Sequence, residues 1–423
     1  GLSITAPMLP EGFLIKRTPT RQEVLDRLRA GIPALIEDAR LRELLWMAVE
    51  EETLLVGLHP MEEPVRFAFT GEALRCTART SGAGPGYHAF LVDLLRNVGQ
   101  KCRLRWQWEG EDCGDETGYA AHRDFARLQE EMLVWLRAVC AAVVEKAADG
   151  ATNIGISMPM GYPAVAGDDA PFALTMLGPR TREWVARAAT AEGAALQAAG
   201  AESFPWWGQA PDEAFWRNTG LALAWVELPW HPPADEQEQA GYQLALACCE
   251  YAAATDAQVV GLVKEIHAMT AASQQAPPAP APAGIGYRRR LLAYELPGLW
   301  RITLPGYCYA SVDANGEQYC FRHGGRDVTA FTMTMASRSE NAASEERLLQ
   351  NMKALSSEDE LHKFQRGTLL GRAAVGRTEE GWSLLGYVAA SNNMAVVYIA
   401  CPDEDDVPWA LGVWQSLTHP EGA

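Results

Sequence analysis

His88 follows the turn Gly82-x-Gly84-Pro85-Gly86-Tyr87, so its imidazole stands at the start of a helix. Backbone N–H groups bared by Gly82, Gly84 and Gly86 could hold an anion or a carboxylate there. That makes His88 the one candidate acid or base, although a tight glycine turn with Tyr87 and His88 packed beside it explains the same residues. The spacing departs from Gly-x-Gly-x-x-Gly and from the phosphate-binding loop, whose lysine is missing, so nucleotide chemistry is not expected. The eight histidines show no His-x-x-x-His spacing and the nine cysteines no Cys-x-x-Cys, so neither a metal nor any other cofactor is expected. Nucleophilic catalysis has no Gly-x-Ser-x-Gly elbow, and Cys113 lies among Glu111, Asp112, Asp115 and Glu116, which disfavour its thiolate.

The same acidic run is either a solvated loop or a surface for a basic partner, with Glu111, Asp112 and Asp115 as its charges. Phe204-Pro205-Trp206-Trp207 lies in a proline- and glycine-containing connection rather than on a periodic face. Trp206 and Trp207 are therefore either core residues or anchors for a partner.

These residues need elements to position them. Thr20 with Glu23 is a capping box opening a first helix, and a second helical stretch covers about 32–50. Strands are expected at 65–70, 74–80 and 101–109, a helix over 87–98, and a long amphipathic helix from about 119 to 148. Further strands at 152–158, 172–177 and 220–228 alternate with helices at 181–199 and 235–254. The recurrence of a Gly-Pro turn, a tryptophan-bearing strand and an acidic helix start is read as a tandem repeat of about 53–150 and 151–256, or as chance similarity of two α+β segments.

Residues 273–285 are rich in alternating proline and alanine, which forbid helix and read as a linker between an α+β domain at 1–272 and a second domain at 286–423. In the second domain, strands are expected at 299–304, 307–312, 318–322, 328–335, 368–375, 381–390 and 394–400, with a hairpin at Asn315-Gly316. Helices are expected over 342–355 and around Trp409, Leu411 and Trp414. Over 328–335, Val328, Ala330, Thr332 and Thr334 alternate with Thr329, Phe331, Met333 and Met335. The fold class is α+β, ending in an antiparallel sheet with two helices. With Arg347-Leu348-Leu349-Gln350, Gly381-Trp382-Ser383-Leu384-Leu385-Gly386-Tyr387 and the ending Trp409-Ala410-Leu411-Gly412-Val413-Trp414, this region of about 130 residues resembles the Mog1/PsbP-like fold. That group includes small bacterial chaperones associated with type VI secretion effectors, mostly binding and assembly proteins, so the resemblance implies binding and no particular catalytic residue.

The 423 residues carry 36 basic and 54 acidic side chains, a net charge of −18, which argues against nucleic acid as a partner. Residues 286–423 hold 13 of the basic and 17 of the acidic side chains, so the acidity lies mainly before the linker. No apolar run is long enough for a membrane span. Few, irregularly spaced cysteines and no signal-peptide pattern point to the cytoplasm. Three functions fit: a non-enzymatic bacterial protein-binding protein, such as an immunity protein or effector-associated chaperone facing a basic toxin or effector; an enzyme assembled around the turn and His88; or a two-domain scaffold.

Overall fold

Leu2, Ile4 and Ala6 alternate with Ser3 and Thr5, and that period of two makes Leu2–Pro7 a strand, β1, with its apolar side buried. The structure, a computed structural model, describes residues 1–8, 18–110, 113–148, 154–156, 158, 162–167, 171–233, 235–253, 257–271, 286–313, 315–334, 360–390 and 393–422. The chain divides into two units of the α+β class. Unit 1 takes Gly1–Tyr162, Pro171–Leu228 and Glu236–Thr270; unit 2 takes Pro163–Ala170, Pro229–Asp235 and Ala271–Ala423. Two short segments of the first 272 residues thus belong to the second unit, and the expected linker lies outside the described residues.

In unit 1, β1 joins β2 (Trp46–Glu50), β3 (Thr53–Gly57), β4 (Val65–Thr70), β5 (Ala73–Ala78), β6 (Glu109–Gly110) and β7 (Cys113–Asp115) in an antiparallel sheet of order β2-β3-β4-β5-β1-β7-β6. Its buried face carries Leu54, Val56, Val65, Phe67, Leu74 and Cys76. The opposite face shows Ser3, Thr5, Leu55, Arg66, Arg75 and Thr77. Helix α1 (Arg21–Gly31) opens on the expected capping box, with Glu23 N–H on Thr20 Oγ1 at 3.2 Å and Thr20 N–H on Glu23 at 2.8 Å. The helix expected over 32–50 is corrected: only α2 (Ala39–Glu43) is α-helical, capped by Asp38, and Trp46–Glu50 pairs as a hairpin with β3 across Glu51 at φ 52°. Pairing with a neighbouring strand outweighs the local helical pattern.

Helix α3 (Pro85–Cys102) runs into the stretch read as a strand at 101–109 and stops at Arg103 in the left-handed region; Glu109–Gly110 is what remains of that strand. After α4 (Tyr119–His122) and α5 (Phe125–Ala148) come β8 (Ile154–Gly155), β10 (Ala173–Thr175) and β11 (Gly178–Arg180), a three-stranded sheet. They are followed by α6 (Arg182–Thr190), α7 (Gly193–Ser203), α8 (Glu213–Ala222), α9 (Glu236–Tyr251) and α10 (Ala257–Ala271). One core joins Val92, Leu128, Leu136, Val143, Trp184, Val185 and Phe204. The strand expected at 220–228 is helical: α8, capped by the Asp212 carboxylate on Phe215 N–H at 2.9 Å, passes into a π-helical turn at Leu223–Glu227. Ala222, Leu223, Ala224, Trp225 and Val226 are all buried, and a short run that is apolar on every side fits a buried helix as well as a strand. The tandem-repeat reading rests in part on that strand.

Unit 2 contains β9 (Ala164–Val165), β12 (Leu291–Leu296) and β13 (Trp300–Pro305) in one small antiparallel sheet. Its larger sheet is antiparallel, of order β14-β15-β16-β20-β19-β18-β17, from β14 (Tyr309–Val312), β15 (Gln318–His323), β16 (Arg326–Thr334), β17 (Glu360–Arg366), β18 (Leu369–Thr378), β19 (Gly381–Ala390) and β20 (Asn393–Cys401). At the Asn315-Gly316 turn, Gly316 has φ 73°, and the Asp313 carboxylate accepts from Glu317 and Gln318 N–H at 2.8 and 3.0 Å. The closing helix Val407–Gln415 lays Trp414 over Gly386, where a Cβ would stand 2.4 Å from its Cδ1. The helix expected over 342–355 lies outside the described residues.

Candidate functional site

In unit 1 the glycine turn binds acceptors supplied by the chain itself. Ala83 N–H donates to Glu62 Oε1 at 2.6 Å, and Gly82 N–H is a second donor to that carboxylate. Gly86 N–H donates to the Trp206 carbonyl at 3.0 Å, and Trp206 N–H returns a bond to the Ala83 carbonyl at 2.8 Å. Gly84, at φ 109°, packs under Phe204, where a Cβ would lie 2.6 Å from Phe204 Cβ. The donors anticipated for an anion are therefore occupied: Gly82 N–H by Glu62, Gly84 N–H by the Thr80 carbonyl at 3.4 Å and Gly86 N–H by the Trp206 carbonyl. Burial pushes the partly buried Glu62 carboxyl up to about 7, against the lowering effect of the two N–H groups and Arg79.

His88 is fully buried one helical turn on. Its Nδ1 lies 2.9 Å from Thr80 Oγ1, and its Nε2 lies 3.1 Å from both Asp115 Oδ1 and Thr117 Oγ1. A proton on Nε2 serves Asp115 and leaves Nδ1 to accept from the Thr80 hydroxyl. Asp115 also accepts from Ala120 N–H at 2.7 Å and from the Thr117 N–H and hydroxyl at 2.9 and 2.7 Å. Burial alone would raise the Asp115 carboxyl, but His88, the Ala120 N–H and Thr117 hold it well below the usual carboxylate range. A carboxylate, imidazole and hydroxyl in line is the order of nucleophilic catalysis. Here Thr80 and His88 are both sealed from solvent, so the line ties the turn to β7 and α3. His59 is also buried: its Nδ1 accepts from Met61 N–H at 3.2 Å, and burial pushes its pKa down to about 3.

The residues expected to meet a partner are divided by this arrangement. Glu111 and Asp112 lie outside the described residues. Asp115 has a side chain only 3% exposed, so its charge belongs to the interior and not to a partner surface. Trp206 is corrected to a core residue, 5.3 Å from the Phe90 ring and 4.3 Å from that of Phe215. Trp207 is half-buried and stacks on Phe204 at 5.8 Å. Among the described residues, no three His, Cys, Asp or Glu side chains could hold a metal, and no helix is long and apolar enough to cross a membrane. Burial pushes the Cys248 thiol up to about 12, which leaves it unreactive.

Unit 2 supplies an exposed apolar surface. Phe331 pairs with Val396, Met333 with Met394 and Thr329 with Tyr398, so Phe331, Met333 and Tyr398 share one face of the large sheet. Their exposures are 36, 39 and 45%, beside the buried cluster of Ala389, Met394 and Val396. No protein-family model matches this chain, and comparison with curated proteins finds no similar sequence. In unit 2 the half-buried His323 has its ring 4.3 Å from that of the buried His231; partial burial, then the charges of His231 and Arg326, push His323 down to about 4.

Sequence spacing could not find Glu62, Thr80 or Thr117, because each meets its partner through tertiary packing. Phe331 and Met333 were accessible to it: the alternation across 328–335 places both on the face opposite Val328 and Ala330, and that opposite face is apolar too.

Proposed function

We propose that this chain is a non-enzymatic bacterial protein-binding protein, an immunity protein or effector-associated chaperone, whose C-terminal unit has a Mog1/PsbP-like fold. The carrying observation is the exposed row of Phe331, Met333 and Tyr398. Aromatic and methionine side chains are enriched at the desolvated centres of protein interfaces, and clustered apolar residues on a sheet face suit such a centre. The net charge of −18 supports steering of a basic partner. The test is affinity capture from the native host's lysate with the full chain, at low and high salt, beside a Phe331→Ala/Tyr398→Ala variant. A basic, salt-sensitive protein whose recovery drops at least about tenfold with the variant is expected. Equal recovery by both chains, or no retained protein, overturns the reading.

A further inference from the structure

On the polar face of the unit 1 sheet, four adjacent strands line up one row of side chains. Leu55 of β3 is opposite Arg66 of β4, Arg66 is opposite Thr77 of β5, and Thr77 is opposite Ser3 of β1. Strands about 4.8 Å apart make the row about 14 Å long, running from an apolar end through a guanidinium to two hydroxyls. Arg75, two residues before Thr77, donates through Nε to Ser3 Oγ at 3.2 Å. These residues line a cleft of about 840 Å³, with Pro64 beside Leu55, a volume suited to a small organic molecule.

The charges of the cleft are unevenly committed. Asp115 is held by His88, Thr117 and the Ala120 N–H, and Glu63 lies 3.7 Å from Arg79. Arg79 also donates to the Met158 carbonyl at 3.2 Å. Glu116 is an exposed rim residue. Arg66 is exposed and, among the described residues, makes no ion pair. A guanidinium fork beside hydroxyl groups suits the planar or tetrahedral oxygens of a carboxylate or phosphoryl group.

We propose that this cleft binds a small organic anion, its carboxylate or phosphoryl group on Arg66 with Arg75, Thr77 and Ser3 alongside, and its apolar body against Leu55 and Pro64. The site is independent of the Phe331–Tyr398 face. The test is calorimetric titration of the full chain with phenyl phosphate and, separately, with benzoate, repeated on Arg66→Ala and Arg66→Lys. Saturable binding of either probe that weakens at least about tenfold in Arg66→Ala is expected, with Arg66→Lys intermediate because the charge stays and the fork is lost. Binding of one probe only supports the site and identifies the anionic group. Thermal unfolding of Arg66→Ala should match the wild type, since the side chain is exposed. No saturable binding of either probe, or equal affinity in Arg66→Ala, overturns the proposal.

Discussion

Gly86 and Trp206, 120 positions apart, occupy one site: the Gly86 N–H donates to the Trp206 carbonyl at 3.0 Å, and a Cβ on Gly86 would lie 1.9 Å from Trp206 Cδ1. Glycine is therefore required at the first turn of α3 for close approach, and the helix can start only where the tryptophan segment covers it. The glycine-rich turn and the Phe-Pro-Trp-Trp segment are two halves of one packing unit.

The first prediction follows from that contact. Alanine favours a helix over glycine by about 1 kcal/mol, but at position 86 the Cβ meets an indole and the Gly208 carbonyl at 2.1 Å, and overpacking costs more. Gly86→Ala should destabilise unit 1 by about 2 kcal/mol. Gly261→Ala, inside α10 with nothing within 4 Å of its Cβ, should stabilise it by about 0.5–1 kcal/mol. Urea denaturation midpoints of the two variants should move in opposite directions.

Strand alternation and a two-residue turn signal were enough to read much of unit 2: the strand at 381–390 coincides with β19, and the turn at Asn315-Gly316 joins β14 to β15. Unit 1 was less legible because its short apolar runs lack a decisive period. Residues 46–50 become a strand through pairing with β3, and 220–228 become helical in a wholly apolar setting. At the candidate site, the glycines mark a donor-rich turn, but its acceptor Glu62 lies 21 residues before Ala83 on another segment, and no local spacing encodes that meeting. Trp206 could be read either way until its neighbours were known.

Glu62 should make stability pH-dependent in a defined direction. Its folded pKa, up to about 7, exceeds the ordinary carboxyl value, so between about pH 4.5 and 7 the folded state binds more protons than the unfolded one. Stability from this group therefore falls as pH rises through that window. Glu62→Gln removes the titration and keeps an acceptor for Ala83 N–H. The wild type minus variant difference in unfolding free energy should decline by about 2 kcal/mol from pH 5 to pH 8, measured by urea unfolding at each pH. A difference that is flat with pH would refute the assignment.

Asp115 has the opposite sign. Its folded pKa is depressed, so its contribution is present above the unfolded carboxyl value and is lost as pH falls below it. Asp115→Asn should cost about 3 kcal/mol at pH 7, because the buried His88 loses its carboxylate, and about 1 kcal/mol less at pH 3, where the unfolded carboxyl is largely protonated and the folded one is not. Far-ultraviolet circular dichroism during urea titration at the two pH values checks both halves.

The exposed row in unit 2 allows a test that needs no partner. Phe331 and Tyr398 contribute little to the core at 36 and 45% exposure, so Phe331→Ala/Tyr398→Ala should change unfolding free energy by less than about 1 kcal/mol. The same change removes the two rings at the centre of that surface and leaves Met333, with Leu361 and Tyr309 on outer strands of the same face. Binding of the dye anilinonaphthalene sulfonate to the native chain should fall by at least half, because such dyes report accessible apolar surface. Retained fluorescence would mean that the apolar surface lies elsewhere. Large destabilisation would mean that the two rings hold the sheet together, and the protein-binding role assigned to this face would lose its support.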